Sequence, residues 1–317
     1  MTPTRRHVAG YLFGLGAGAV WGTTGPLSTA LFATGAALTG IGFWRILLGT
    51  AALAVFGAAR PALFRIDRRG FLLVAGVGGL LVALFEVAYQ FGIAGAGVAG
   101  AAALLYLAPV AVALLARPIL GERLTALRLA LAAVVMVGAW LTVRGGHPGL
   151  GGVPITSLVV GVTGGLLAAA SYAGTTILAR WAVPRYGTLK VLFLEIAGGT
   201  LALAILLPLA GHAPAPPPTA SGWLYVLALA AGPVLGANFL FFAAVKRIDA
   251  APTAVAATIE PVVGTLLALA LFNQRLEPLG WLGLALVVGG VAAGYLREAV
   301  EDRATPRSLR STRSTLS

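Results

Sequence analysis

Ten apolar runs divide this chain, at roughly 8–32, 38–58, 71–93, 98–117, 125–143, 155–180, 188–209, 222–245, 252–272 and 278–297. Each approaches the ~20 residues that a helix needs to cross a bilayer. Inside lipid every backbone N–H and C=O must find a partner within the protein, so such runs fold as helices. Only 10% of the residues are charged and 59% are hydrophobic, against roughly 25% charged in a soluble domain. The expectation is an all-α integral membrane protein with ten transmembrane helices. Arg5-Arg6 before the first run imitates a secretory signal. The counterpart of that run around Ser171 to Thr176 favours a retained helix.

Lys and Arg set the orientation, because cytoplasmic loops are enriched in both. With the N-terminus inside, 19 of the 22 basic residues fall in cytoplasmic connections and only Arg144 and Arg275 outside, with Arg45 within a helix. Both termini are thus expected in the cytoplasm. The net charge of +12 follows from these clusters. No basic face with interleaved aromatics exists to bind nucleic acid.

The chain also repeats itself. An offset of 152 residues carries Leu107 to Ile259, Pro109 to Pro261, Arg123-Leu124 to Arg275-Leu276 and Gly138 to Gly290. Five helices is an odd number, so the second half starts from the opposite side of the membrane and the repeat is inverted, the usual architecture of secondary transporters. The expected units are residues 1–149 and 150–297, followed by a disordered cytoplasmic tail at 298–317. The Pro-rich stretch His212 to Pro218 reads as a stiff outer loop.

Several chemistries are excluded. There is no cysteine, and His7, His147 and His212 all lie in polar connections. No cofactor and no metal cluster are therefore expected within the membrane. Gly95-Ala96-Gly97-Val98-Ala99-Gly100 fits G-x-G-x-x-G, but that fingerprint needs a preceding strand. Here the glycines lie in an uncharged hairpin between two runs, where close helix packing explains them better. Gly14, Gly18 and Gly22, and Gly76 and Gly79, read the same way.

Four charges lie within helices: Arg45, Glu86, Glu195 and Glu260. Such charges usually mark a pathway or a pair. By helical rise Arg45 and Glu86 lie about 4 and 6 Å outward of the midplane on consecutive helices, so an ion pair is expected, whether a staple or a substrate contact. The repeat carries these positions to Glu195 and Asn238, about 5 Å inward, where a hydrogen bond between the two is expected. Glu260 falls near the midplane with no cation at its depth and is the first candidate proton carrier. Pro109 and Pro261 interrupt helices four and nine at matched positions and free the carbonyls of Leu105 and Ala257. Gly25-Pro26 is a weaker hinge. Trp21, Trp44, Tyr89, Tyr106, Tyr172 and Phe239, with Gln90 on the face of Glu86 and Tyr89, form a candidate pocket for a small amphipathic solute. Trp223 and Trp281 read as belt residues.

The two inverted five-helix halves, Trp21-Gly22, Phe43-Trp44-Arg45, and the paired segments Gly121-Glu122-Arg123-Leu124 and Asn273-Gln274-Arg275-Leu276 resemble the drug/metabolite transporter superfamily, its EamA type in particular. The resemblance covers the chain to about Arg297 and departs from its own pattern at Asn273-Gln274. It implies a basket-like bundle around a cavity lined by helices one, three, four, six, eight and nine. It also implies transport, often export, of amino acids or other small metabolites across a bacterial cell membrane. No nucleotide-binding motif is present, so an ion gradient, with protons first, or the solute's own gradient would drive it. No nucleophile–base pair lies at depth, which argues against an intramembrane enzyme. A lipid-handling protein or a non-transporting scaffold is the alternative.

Overall fold

The structure, a computed structural model, describes residues 3–58, 65–112, 126–146, 155–248 and 250–304, and every regular element among them is helical. The first apolar run is two helices, α1 (Pro3–Gly22) and α2 (Thr24–Ala33), broken at Thr23, whose hydroxyl donates to the Val20 carbonyl at 2.7 Å. Helix α3 spans Leu38–Ala58. Next come a short α4 (Arg68–Gly70), a π-helical stretch π1 (Phe71–Gly78) and α5 (Gly79–Leu105). The later elements are α6 (Ala126–Gly145), α7 (Ile155–Tyr186), α8 (Thr188–Leu209), α9 (Ala220–Leu229), a second π stretch π2 (Ala230–Gly236), α10 (Ala237–Val245), α11 (Ala250–Ala257), α12 (Glu260–Phe272) and α13 (Pro278–Ala304).

Seven helical segments among the described residues are long and apolar enough to cross a membrane, fewer than the ten runs. Thr23 splits the first run into α1 and α2, and the fifth is α6, a helix of 20 residues. The third and fourth runs are one continuous segment, Arg68–Leu105. That segment still folds back on itself at Gly97, whose φ of 72° and ψ of 172° lie outside helical space. A methyl group placed on Gly92 would sit 3.6 Å from the Ala101 Cβ. Nine residues along a straight helix would hold them about 13 Å apart. The amide of Val98, released by the turn, donates to Gln274 Oε1 at 3.2 Å. This gives the Asn273-Gln274 departure a role, since Asn273 itself ends α12 in the left-handed region at φ 52°.

The halves interlock. Helix α1 packs on α10, α5 on α7, α3 on α8, and α6 on α13, so each contact joins one half to the other. The α6–α13 contact is symmetric in detail. A Cβ on Gly138 would meet Gly283 O at 2.7 Å and Val287 N at 2.9 Å, and one on Gly290 would meet Val135 Cγ2 at 2.8 Å and Leu131 O at 3.7 Å. Residues 131, 135 and 138 map onto 283, 287 and 290 by the same 152-residue offset. Small residues permit these approaches, as membrane helices require. The α5–α7 seam uses the same device, with Gly95 against Ser157 O and Gly161, and Gly164 against Gly92.

Two expectations are corrected. A Cβ on Gly76 would meet nothing within 4 Å, so close packing belongs to Gly79, which faces Gly198, and Gly76 has no part in it. Helix α13 runs through to Ala304, so the expected disordered tail begins with helix at 298–304. The remaining tail, the Gly121-Glu122-Arg123-Leu124 segment, His147 and the end of the fourth run lie outside the described residues.

Candidate functional site

Two broken helices meet near the middle of the bundle. Helix α5 ends at Leu105, residues 106–107 form a turn, and helix resumes at 108–112. In the partner half α11 ends at Ala257, Thr258 and Ile259 turn, and α12 starts at Glu260 with Pro261 in its first turn. The two turns are repeat equivalents. Pro261 has no N–H and its ring excludes the Ala257 carbonyl from the helical ladder. The Tyr106 hydroxyl meets that need, lying 3.5 Å from Ala257 O and 3.3 Å from Glu260 Oε2. One hydroxyl proton thus serves a carbonyl and a carboxylate, and Glu260 stands at the start of α12, where the helix dipole favours an anion.

Helix α1 closes over this break through glycine. Added Cβ atoms would meet Ala256 Cβ at 2.9 Å from Gly14, Ala257 O at 2.5 Å from Gly18 and Glu260 O at 2.7 Å from Gly22. Beside Gly22, the Trp21 indole donates to Pro233 O at 3.1 Å and its ring lies 5.4 Å from Phe241. On the other side Tyr89 stacks on Phe85 at 5.5 Å, and Phe85 lies 6.2 Å from the ring of Tyr172. Tyr89 is buried, whereas Tyr172 remains 49% accessible. Trp21, Tyr106 and Glu260 are half-buried. Aromatic faces around a carboxylate and a hydroxyl are the makings of a small-solute pocket.

A second polar centre joins α3 to α5. Arg45 Nη2 donates to Glu86 Oε1 at 3.0 Å, and Nε lies 2.5 Å from Oε2 without hydrogen-bond alignment. Both side chains are nearly inaccessible, so the expected ion pair is placed here. Gly42 lets the two helices approach, since its Cβ would meet Glu86 O at 2.9 Å. Gln90, one turn on, is fully buried with both amide atoms unpartnered, and Ser28 Oγ is likewise buried and unpartnered. Buried polar atoms of this kind are uncommon in folded proteins.

The repeat-related pair behaves differently. Asn238 donates its amide to Val234 O at 2.9 Å, one turn back on its own chain, and Glu195 Oε1 is buried without a partner beside Gly78. The expected Glu195–Asn238 hydrogen bond is therefore absent, because the short Asn side chain finds the nearer backbone carbonyl. Pro109 is half-buried just past the 106–107 turn. Trp44 leaves the expected aromatic group. Its indole donates to Pro214 O at 3.0 Å and Ala215 O at 3.2 Å in the Pro-rich loop, and its ring packs 5.0 Å from Trp223. Phe239 is exposed, and Phe241 takes the place against Trp21. Sequence reasoning missed Phe241, Phe85, Pro233 and Ser28. Phe241 was discoverable as the repeat equivalent of Tyr89, and Pro233 as a proline within an apolar run.

The fold and its polar interior define a multi-pass helical membrane protein built from two repeats. The EamA-like transporter family model matches residues 8–144 and again 159–295, and the chain belongs to that family. A curated relative, the pseudopaline exporter CntI of Pseudomonas aeruginosa, is 32% identical over 200 residues, which are 62% of this chain and 65% of that protein. An uncharacterized transporter of Archaeoglobus fulgidus is 25% identical over 198 residues, 62% of this chain and 67% of its own length. A solved crystal structure covers 92% of this chain and 97% of its own with a TM-score of 0.63 and 24% identity, a likeness of fold. Membership of a transporter family, rather than an enzyme family, agrees with the lack of a buried nucleophile–base pair in the sequence.

Proposed function

We propose that this protein is a secondary transporter that exports a small amphipathic organic solute, such as an amino acid or a related metabolite, by alternating access. Ten spans in two inverted halves, with both termini in the cytoplasm of a bacterial cell, complete the reading. The observation that carries it is the meeting of Tyr106 with Glu260 and Ala257 O at two equivalent helix breaks. Interrupted helices are tolerated in lipid where they face protein or a wet cavity. The cross-half pairing of α1 with α10 and α5 with α7 supplies the mechanics, because inverted halves can exchange conformations by rocking about a central site.

In this scheme Glu260 carries the coupling proton. Charged, it accepts the Tyr106 hydroxyl. Protonated, it no longer needs that donor, and Tyr106 turns to the Ala257 carbonyl alone. Trp21, Tyr89 and Tyr172 hold the apolar body of the solute, and Arg45, Glu86 and Gln90 orient its polar groups. Export is the direction because the relative from P. aeruginosa is named as an exporter. Comparison of intracellular and medium metabolites in cells with and without the gene tests the reading. A small solute retained when the gene is deleted supports it, and an unchanged metabolite panel overturns it.

A further inference from the structure

The 152-residue offset relates two junctions between the halves. In one, the end of α7 meets the start of α4; in the other, the end of α2 meets the start of α9. The correspondence holds residue by residue, with positions 34, 35, 67 and 70 becoming 186, 187, 219 and 222. Asp67 accepts from the Gly70 amide at 3.3 Å, and Thr219 accepts from the Gly222 amide at 3.0 Å. Gly35 and Gly187 have φ of 81° and 79°. A Cβ on Gly70 would meet Tyr186 Cζ and Oη at 2.6 Å, and one on Gly222 would meet Thr34 Oγ1 at 3.3 Å.

The two junctions differ in one bond. The Tyr186 hydroxyl crosses between the halves and donates to Asp67 Oδ1 at 2.6 Å. Lys190 adds a second tie, donating to Arg65 O at 2.7 Å. At the matched place Thr34 donates to Leu31 O on its own helix at 2.7 Å, and the Thr219 hydroxyl lies 3.1 Å from that of Ser221. Among the described residues no hydroxyl joins the halves there, and Trp44 spans the region through the carbonyls of Pro214 and Ala215. Reach explains the difference. A threonine hydroxyl finds the carbonyl a turn back on its own helix, whereas a phenolic hydroxyl stands at the far end of a ring. The acceptor matters too, because hydrogen bonds to a carboxylate are among the stronger ones. Gly187 alone separates α7 from α8, and nothing lies within 4 Å of a Cβ placed on it. Crowding therefore does not oppose a change of angle at that residue, and hinges are built from a few such positions at element ends.

We infer that Tyr186 and Asp67 form the latch of a gate. Their hydrogen bond holds the end of α7 against the start of the Arg68–Leu105 segment, and its rupture, with bending at Gly187, opens the molecule at that end. A latch of this kind acts only in a protein that opens alternately, so it rests on the alternating-access reading above.

The chain contains no cysteine, so spin labels attach only where cysteines are introduced. The pairs 68/185 and 220/33 are repeat equivalents at the two junctions, and all four positions are exposed. Pulsed electron resonance on the full-length protein in lipid nanodiscs, with no solute added, reads the distance at each. Tyr186→Phe removes the hydroxyl and keeps the ring beside Gly70. It is expected to raise the ratio of long to short 68/185 distances about three- to tenfold, the worth of one hydrogen bond, without widening 220/33. Thr34→Val removes a bond within one helix and is expected to leave both pairs as in the wild type. Asp67→Ala is expected to open the 68/185 pair as well, and adding Tyr186→Phe to it is expected to change nothing further. Wild-type 68/185 distances in Tyr186→Phe overturn the latch, as does equal widening of both pairs or a further widening in the double variant. If those distances stay at wild type while deletion of the gene still causes a solute to be retained, the latch falls and the transport reading stands.

Discussion

The hydroxyl of Tyr106 lies 3.5 Å from the carbonyl of Ala257, the oxygen that Pro261 removes from its helical ladder. Donor and acceptor come from opposite halves and from helix breaks that the repeat makes equivalent. The exposed backbone of one half is therefore satisfied by a side chain of the other, and Glu260 stands at the same point. Replacing Tyr106 by Phe removes the donor and leaves the carbonyl bare in an apolar setting. The expected loss is about 1–3 kcal/mol of stability, read from reversible unfolding in mixed micelles, with no change in helix content.

The Arg45–Glu86 pair makes a sharper prediction. Removing one partner leaves a buried, uncompensated charge, and Arg45→Met or Glu86→Leu alone is expected to lose about 3–5 kcal/mol. The double replacement leaves no charge behind, and most of that loss is expected to return. A double-mutant cycle on unfolding free energies measures the coupling. Singles that unfold like the wild type contradict the pair's burial.

Glycine at position 76 and glycine at position 79 are expected to respond in opposite ways. Nothing meets a Cβ on Gly76, so Gly76→Ala is expected to stabilise by about 0.5–1 kcal/mol through the lower entropy of the unfolded chain. A Cβ on Gly79 would press on Gly198 C at 2.6 Å, so Gly79→Ala is expected to destabilise. Unfolding midpoints of the two variants, purified side by side, check the sign.

Asp67 gives a pH prediction at the start of the Arg68–Leu105 segment. The hydrogen bond from Tyr186 holds its carboxyl below the usual range, with the Gly70 amide adding to the effect. A depressed folded value means the contribution is complete above the unfolded value of about 3.9 and is lost as pH falls through the folded one. Exchange protection of the Gly70 amide, corrected for intrinsic rate, is expected to persist from neutral pH down to that range and then to fall. Asp67→Asn is expected to show reduced protection throughout.

The features legible in the sequence are those that a local pattern or the repeat encodes. Apolar length marked the helices, matched prolines marked the breaks at Pro109 and Pro261, and similar depth brought Arg45 to Glu86. The rest depends on contacts between residues far apart in the chain. Trp21 donates to Pro233 O across 212 positions and Gln274 caps Val98 across 176. Nothing in either local sequence encodes those partners. The Glu195–Asn238 pairing failed for a related reason, because matching depth does not decide whether an Asn reaches across or back to its own helix. The π-helical stretches at Phe71–Gly78 and Ala230–Gly236 escaped because they share the apolar composition of the α-helix around them.

The proposed role of Glu260 as carrier of the coupling proton is open to direct test. Flux of the solute found by the metabolite comparison, measured in proteoliposomes with and without an imposed pH gradient, tests it most directly. The wild type is expected to concentrate solute against its gradient when protons flow the other way. Glu260→Gln, at equal protein levels, is expected still to exchange solute but no longer to respond to the pH gradient. A Glu260→Gln protein that retains the full pH-driven accumulation contradicts it.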